Sequence, residues 1–190
     1  MFSQPDSSCH GLVYSEHFGP CAYIERCRSF FQRVTGSVLS PLSTFLLLQG
    51  IETLLVRIGR HVANGRAVTE HLHRRPKVRW VNYVGFEDNQ YHRLVQKYLD
   101  GRACSLITFG VQGSFEGGRR FYNSLGLIQR LANFGDAKSL ARHPASTTHG
   151  QMPAEVERKA GILPETIHLS VGTEHMDNII EDLDQALGKA

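Results

Sequence analysis

The sequence predicts an α/β fold, a small sheet with helices packed on one face, entered through a long helix. Three patterns carry that expectation. From about residue 76 onward, short apolar runs alternate with segments of helical period in the order β-α-β-α-β-α-β-α. Before them, Pro41 to about Arg75 reads as one long helical stretch, in which Leu54, Leu55, Ile58 and Val62 keep the three-four spacing of a buried face. At the end, Met176, Ile179, Ile180, Leu183 and Leu187 form a single apolar stripe.

In chain order, residues 1–10 are polar and irregular, and a helix runs from about Ser15 to Val34 with an interruption at Gly19-Pro20. Ser40-Pro41 starts the long helical stretch, with serine as N-cap and proline at the first helical position. Gly50 and Gly59 leave room for a bend or close packing, and Pro76 ends the stretch. Val78–Tyr83 reads as a strand, Asn89–Leu99 as a helix, Cys104–Val111 as a strand and Phe115–Leu131 as a helix. Leu140–Arg142 is a short strand, Pro153–Ala160 a helix closed by Gly161, Ile167–Val171 a strand and His175–Leu187 a helix capped by Thr173.

Composition excludes several classes. The 190 residues are 41% hydrophobic and 21% charged with a formal charge of +3, and the lysines and arginines are scattered, so no nucleic-acid partner is expected. No apolar run reaches the roughly 18 residues that cross a bilayer. The amino terminus lacks a basic and then apolar leader, so a cytoplasmic location is expected. Cys9, Cys21, Cys27 and Cys104 form no C-x-x-C pair and are read as free thiols. His71 and His73 fall on different helix faces, so no metal site is expected. The glycines at 110, 113, 117 and 118 lack the spacing of a phosphate or dinucleotide loop, and no G-x-S-x-G elbow occurs.

Chemistry-bearing residues gather in two segments. In Ile167–Val171, alternation puts Ile167, Leu169 and Val171 on the core face and His168 and Ser170 on the other. That places His168 either in solvent or in a cleft. In Ser146-Thr147-Thr148-His149, after His143-Pro144, the hydroxyls either cap their own turn or face an anionic ligand.

Together, Asn133-Phe134-Gly135-Asp136-Ala137-Lys138-Ser139-Leu140, His143-Pro144-Ala145-Ser146-Thr147-Thr148-His149, Leu169-Ser170-Val171-Gly172 and Asp182-Leu183-Asp184-Gln185-Ala186-Leu187 resemble the carboxyl-terminal half of the Cys/Met-metabolism enzymes that use pyridoxal phosphate. Earlier segments agree: His10–Tyr14, Leu39-Ser40-Pro41, Phe45–Gly50, Glu52-Thr53-Leu54 and Phe109-Gly110-Val111. Within that family the likeness is to the O-acetylhomoserine sulfhydrylases, with cystathionine γ-synthase and methionine γ-lyase as sister activities and a non-catalytic interaction module as the rival from another class.

The resemblance implies a fold-type I carboxyl-terminal domain with a small mixed or antiparallel sheet over residues 76–190, a connecting helix over 41–75 and the end of the large domain over 1–40. It implies pyridoxal phosphate as cofactor, O-acetylhomoserine and sulfide or a thiol as substrates, and a homotetramer at full length. The family's Schiff-base lysine sits in a Ser-x-Thr-Lys setting, and none of Lys77, Lys97, Lys138, Lys159 or Lys189 does, so this chain alone is expected to be inactive. The substrate-binding positions carried over are Asn133, Thr148 and His168. The last departs from the pattern: the family has a carboxylate-clamping arginine where this chain has His168. Exchanging a charged fork for one neutral contact costs about 1.5–3 kcal/mol, roughly ten- to a hundredfold in binding. With an amino-terminal half restored, His168→Arg is therefore expected to raise catalytic efficiency.

Overall fold

Gly19 and Pro20 interrupt the first helical region in a computed structural model that describes residues 2–190. Helix α1 (Tyr14–Phe18) stops where Gly19 takes φ +47°, and α2 (Ala22–Arg26) follows after a 3-10 turn. A π-helical turn over Cys27–Gln32 leads into α3 (Arg33–Thr35), which Gly36 closes at φ +65°. Ser40 then caps α4 (Pro41–Glu52), its hydroxyl oxygen accepting from the Ser43 amide at 3.1 Å. Contacts group these residues into one compact unit that ends at Glu52.

The second unit runs from Thr53 to Ala190. The stretch expected as one helix is helical on both sides of Thr53, which sits at φ −99° and ψ 0° and breaks it; α5 (Leu54–His73) restarts with the Arg57 amide donating to the Thr53 carbonyl. Then come β1 (Val78–Asn82), α6 (His92–Leu99), β2 (Leu106–Val111), α7 (Ser114–Ser124), β3 (Gln129–Arg130), β4 (Leu140–Arg142), α8 (Ala154–Lys159), β5 (Thr166–Ser170) and α9 (Met176–Gly188). The five strands of the described residues form one mixed sheet in the order β1-β2-β5-β4-β3, antiparallel throughout except for the β3–β4 pair.

Alternation decides which sheet face is the core. Ile107, Phe109 and Val111 of β2 lie beside Ile167 and Leu169 of β5 and Ala141 of β4. They pack under Val68 and Leu72 of α5, Phe121 of α7, and Ile179, Leu183, Ala186 and Leu187 of α9. The Phe109 and Phe121 rings meet edge to face with centroids 5.6 Å apart. The helices thus cover one face, and the row Thr108, His168 and Arg142, paired across β2, β5 and β4, points to the other.

Two local expectations give way to tertiary bonds. The helix expected through Leu131 stops at Ser124. Asp182 of α9 accepts from the amides of Gly126, Leu127 and Ile128 at 2.8, 3.0 and 2.8 Å, and so pulls that segment out of helix and into the approach to β3. Thr173 does not cap α9. Its hydroxyl donates to the Ala137 carbonyl at 3.0 Å, and His175 occupies the N-cap with no side-chain bond.

Candidate substrate-carboxylate site

The outer face of β5 is roofed by the segments flanking β4. Ser170, 2% exposed, accepts from the Gly135 amide at 3.1 Å, which brings the loop carrying Asn133 over the end of the strand. Thr173 donates from its amide to the Ala137 carbonyl at 2.8 Å and ties the same loop down. Ser139 is buried and receives Glu174: its amide and hydroxyl donate to the carboxylate at 2.6 and 2.9 Å, while its hydroxyl oxygen accepts from the Gly172 amide at 2.8 Å. Gly172 belongs there because a Cβ would stand 2.5 Å from the Ser139 nitrogen and the Lys138 carbonyl carbon. From below, His61 and Asn64 of α5 donate to the carbonyls of Val171 and Gly172 at 2.7 and 3.0 Å.

On the other side, the turn after β4 is held by His143. Its Nε2 donates to the Pro164 carbonyl at 2.7 Å, so its Nδ1 accepts from the Ser146 hydroxyl, also at 2.7 Å. Burial lowers the His143 pKa, in keeping with that neutral ring. Thr147 caps the turn by donating to the His143 carbonyl at 2.8 Å. Two hydroxyls of the Ser-Thr-Thr run are therefore spent on the backbone and on His143. Thr148 is exposed and bonded to His149 Nδ1 at 2.9 Å.

His168 lies half-buried between these two walls. Arg142, its cross-strand partner, donates from Nη2 to His168 Nδ1 at 2.8 Å. An arginine only donates, so Nδ1 is an acceptor and the ring proton sits on Nε2. Burial, then the positive charge of Arg142, then His149 hold the His168 pKa down at about 4, so the ring is neutral at pH 7.

The structure places the expected positions unequally. His168 is at the centre of the face, Thr148 is on the turn that carries His149 toward it, and Asn133 is exposed on the roofing loop. Sequence reasoning passed over Arg142, Ser139, Glu174 and Asp182. Arg142 was within reach, because alternation in Leu140–Arg142 places it beside His168 as soon as β4 pairs with β5. An open cleft of about 450 Å³ lies elsewhere, lined by Arg66, Glu70, Tyr83, Phe86, His92 and Gln96 among others, and includes none of Asn133, Thr148 and His168. Among the described residues no group of three or more His, Cys, Asp or Glu side chains is placed to hold a metal ion, and no single helix is long and apolar enough to cross a membrane.

A mixed sheet with helices on one face is the arrangement the sequence resemblance implied, and the chain belongs to the family of Cys/Met metabolism PLP-dependent enzymes, whose sequence pattern matches residues 10–188. It is 43% identical to a homocysteine synthase of Schizosaccharomyces pombe over 98% of its own length and 43% of that protein. It is 41% identical to O-acetyl-L-homoserine sulfhydrylase 1 of Thermus thermophilus over 98% of its length and 44% of the relative. Its fold superposes on a solved O-acetylhomoserine (thiol)-lyase of Campylobacter jejuni, carrying a pyridoxyl-lysine phosphate, with TM-score 0.87 and 41% identity over 98% of this chain and 44% of the other. The chain spans less than half the length of these relatives.

The family uses pyridoxal phosphate, but the lysines of this chain do not fit its covalent attachment. Lys97, Lys138, Lys159 and Lys189 are exposed, and Lys77 donates to the carbonyls of Gly188 and Ala190 at 3.0 and 3.2 Å. An attachment lysine has to be held at the cofactor and desolvated. The outer sheet face carries the Arg142 guanidinium, bonded to the neutral imidazole of His168.

Proposed function

We propose that the chain is the carboxyl-terminal part of a pyridoxal-phosphate-dependent O-acetylhomoserine sulfhydrylase. Residues 1–40 would end the large-domain region, 41–75 connect, and 76–190 form the carboxyl-terminal domain, in an enzyme that assembles as a homotetramer. The complete enzyme replaces the acetoxy group of O-acetylhomoserine by sulfide or methanethiol: a carbon–oxygen bond breaks, a carbon–sulfur bond forms, and homocysteine or methionine is released with acetate. Bound pyridoxal phosphate supplies the electron sink for the exchange.

The part taken by this chain is to bind and orient the amino-acid substrate. His168 offers the Nε2–H to the substrate carboxylate, and Asn133 and Thr148 border it. The observation that carries the reading is 41–43% identity, across 98% of the chain, to relatives named for this activity. Without an attachment lysine the chain alone is inactive, so borohydride reduction in the presence of pyridoxal phosphate should leave no lysine stoichiometrically modified.

Joining the chain to the amino-terminal half of the Schizosaccharomyces pombe relative tests the function. Homocysteine and acetate from O-acetyl-L-homoserine and sulfide are expected. Turnover with cysteine as the sulfur donor in place of sulfide, or cleavage of methionine, would instead assign a sister activity. A second reading, an interaction module that pairs with full-length subunits, is favoured by α4, which exposes Leu42, Phe45, Leu46, Leu47, Leu48 and Ile51. Mass measurement with a full-length relative present separates it, because a module forms a mixed assembly and stays inactive when joined.

A further inference from the structure

We propose that Arg142 is the carboxylate-binding cation of this site, its guanidinium standing across the strand pair from His168, the position at which the sequence resemblance implies an arginine. The inference rests on the substrate-binding reading above and names the residue that supplies its missing charge.

Four observations carry it. Arg142 pairs with His168 in the β4–β5 register and so shares its outward sheet face. Its recorded bond is to a neutral acceptor, His168 Nδ1 at 2.8 Å, and among the described residues no carboxylate lies within ion-pair distance of it. Its Nε is buried with no hydrogen-bond partner. A guanidinium whose Nε is buried without a partner, and which has no anion beside it, costs stability unless a ligand brings one.

The His168 contact gives the arrangement its shape. By accepting from Nη2, the imidazole holds the guanidinium in one place and keeps its own proton on Nε2. A carboxylate arriving on this face meets a charged donor from Arg142 and a neutral donor from His168, side by side. That reproduces a two-pronged grip from two residues, with the full positive charge on one of them. Arg142 thereby offsets much of the loss that His168 alone would entail.

The test uses the complete chain with 15N-labelled histidine and acetate as probe, at constant ionic strength maintained with chloride. Acetate is expected to shift the His168 ring resonances saturably in the millimolar range and to raise the pH at which the ring titrates, and chloride is not. Arg142→Gln should abolish the saturable response, while Arg142→Lys, which keeps the charge and loses the fork, should weaken it severalfold. The amide spectrum of each variant reports whether it folds. An acetate response that survives in Arg142→Gln, or none in the parent chain, overturns the assignment.

In the joined enzyme, Arg142→Gln should raise KM for O-acetylhomoserine ten- to a hundredfold with a smaller effect on kcat. His168→Arg should recover that loss in the Arg142→Gln background. A joined enzyme inactive on O-acetylhomoserine whose chain still binds acetate through Arg142 would reject the proposed function and sustain the assignment. An active enzyme in which Arg142→Gln leaves KM unchanged would reject the assignment alone.

Discussion

The two compact units differ in how they use their apolar residues, except at the start of α5, where Leu54, Leu55 and Ile58, expected on a buried face, are 42%, 78% and 48% exposed. In the unit from Thr53 to Ala190, Val68, Leu72, Phe109, Phe121, Leu169 and Leu183 are all fully buried, and the sheet and helices close on one another. In the unit ending at Glu52, Tyr14 and Ala22 are the buried apolar side chains among the described residues, while six large apolar residues of α4 are more than half exposed. The unit from Thr53 is held by a core. The unit ending at Glu52 is held by helix capping and by polar contacts such as Arg26 on Asp6 at 2.9 Å and the Tyr14 hydroxyl on Ser29 Oγ at 2.5 Å. The exposed residues include the run Phe45–Leu48, so the apolar surface of α4 extends round the helix. The difference shows that helix-forming sequence is sufficient for local structure, but burial needs a partner surface.

Paired truncations break this comparison most sharply. Phe109→Ala should cost about 3–5 kcal/mol, because it empties a site under Phe121, whereas Leu46→Ala on α4 should change stability by less than about 0.5 kcal/mol. Urea denaturation measures both, and an equal cost at the two positions would mean that α4 is buried in solution. Next in size is Asp182→Ala. It strands the amides of Gly126, Leu127 and Ile128 next to the core, and about 3 kcal/mol of destabilisation is expected from the same measurement.

The smallest effect is the response to acid. The His168 pKa is lower folded, at about 4, than its ordinary value of 6.5. Between those values the unfolded chain binds a proton that the folded chain refuses, so stability is full above about pH 6.5 and falls as the pH drops toward 4. His143 is lowered by burial and acts in the same direction. His168 accounts for the loss across this window. His168→Asn should flatten that part of the profile, and a slope unchanged in the variant would reject the role given to the ring.

Much of this was legible in the sequence. The period of α9, the alternation of β5, the serine cap of α4 and the interruption at Gly19-Pro20 are local matters, set by side-chain spacing and backbone freedom. The outward direction of His168 followed from alternation alone. What escaped were bonds between residues distant in the chain. Asp182 ends the helical region after Ser124 from 54 to 56 residues away, and Glu174 seizes Ser139 from 35. Thr173 turns to Ala137 where a local reading makes it a cap.

The sequence by itself determined the α/β class and the family. Spacing, composition and motif are properties of neighbours along the chain. Only the tertiary structure decided that Arg142 stands against His168, because strand register joins residues 26 apart and no local pattern encodes which strands will pair.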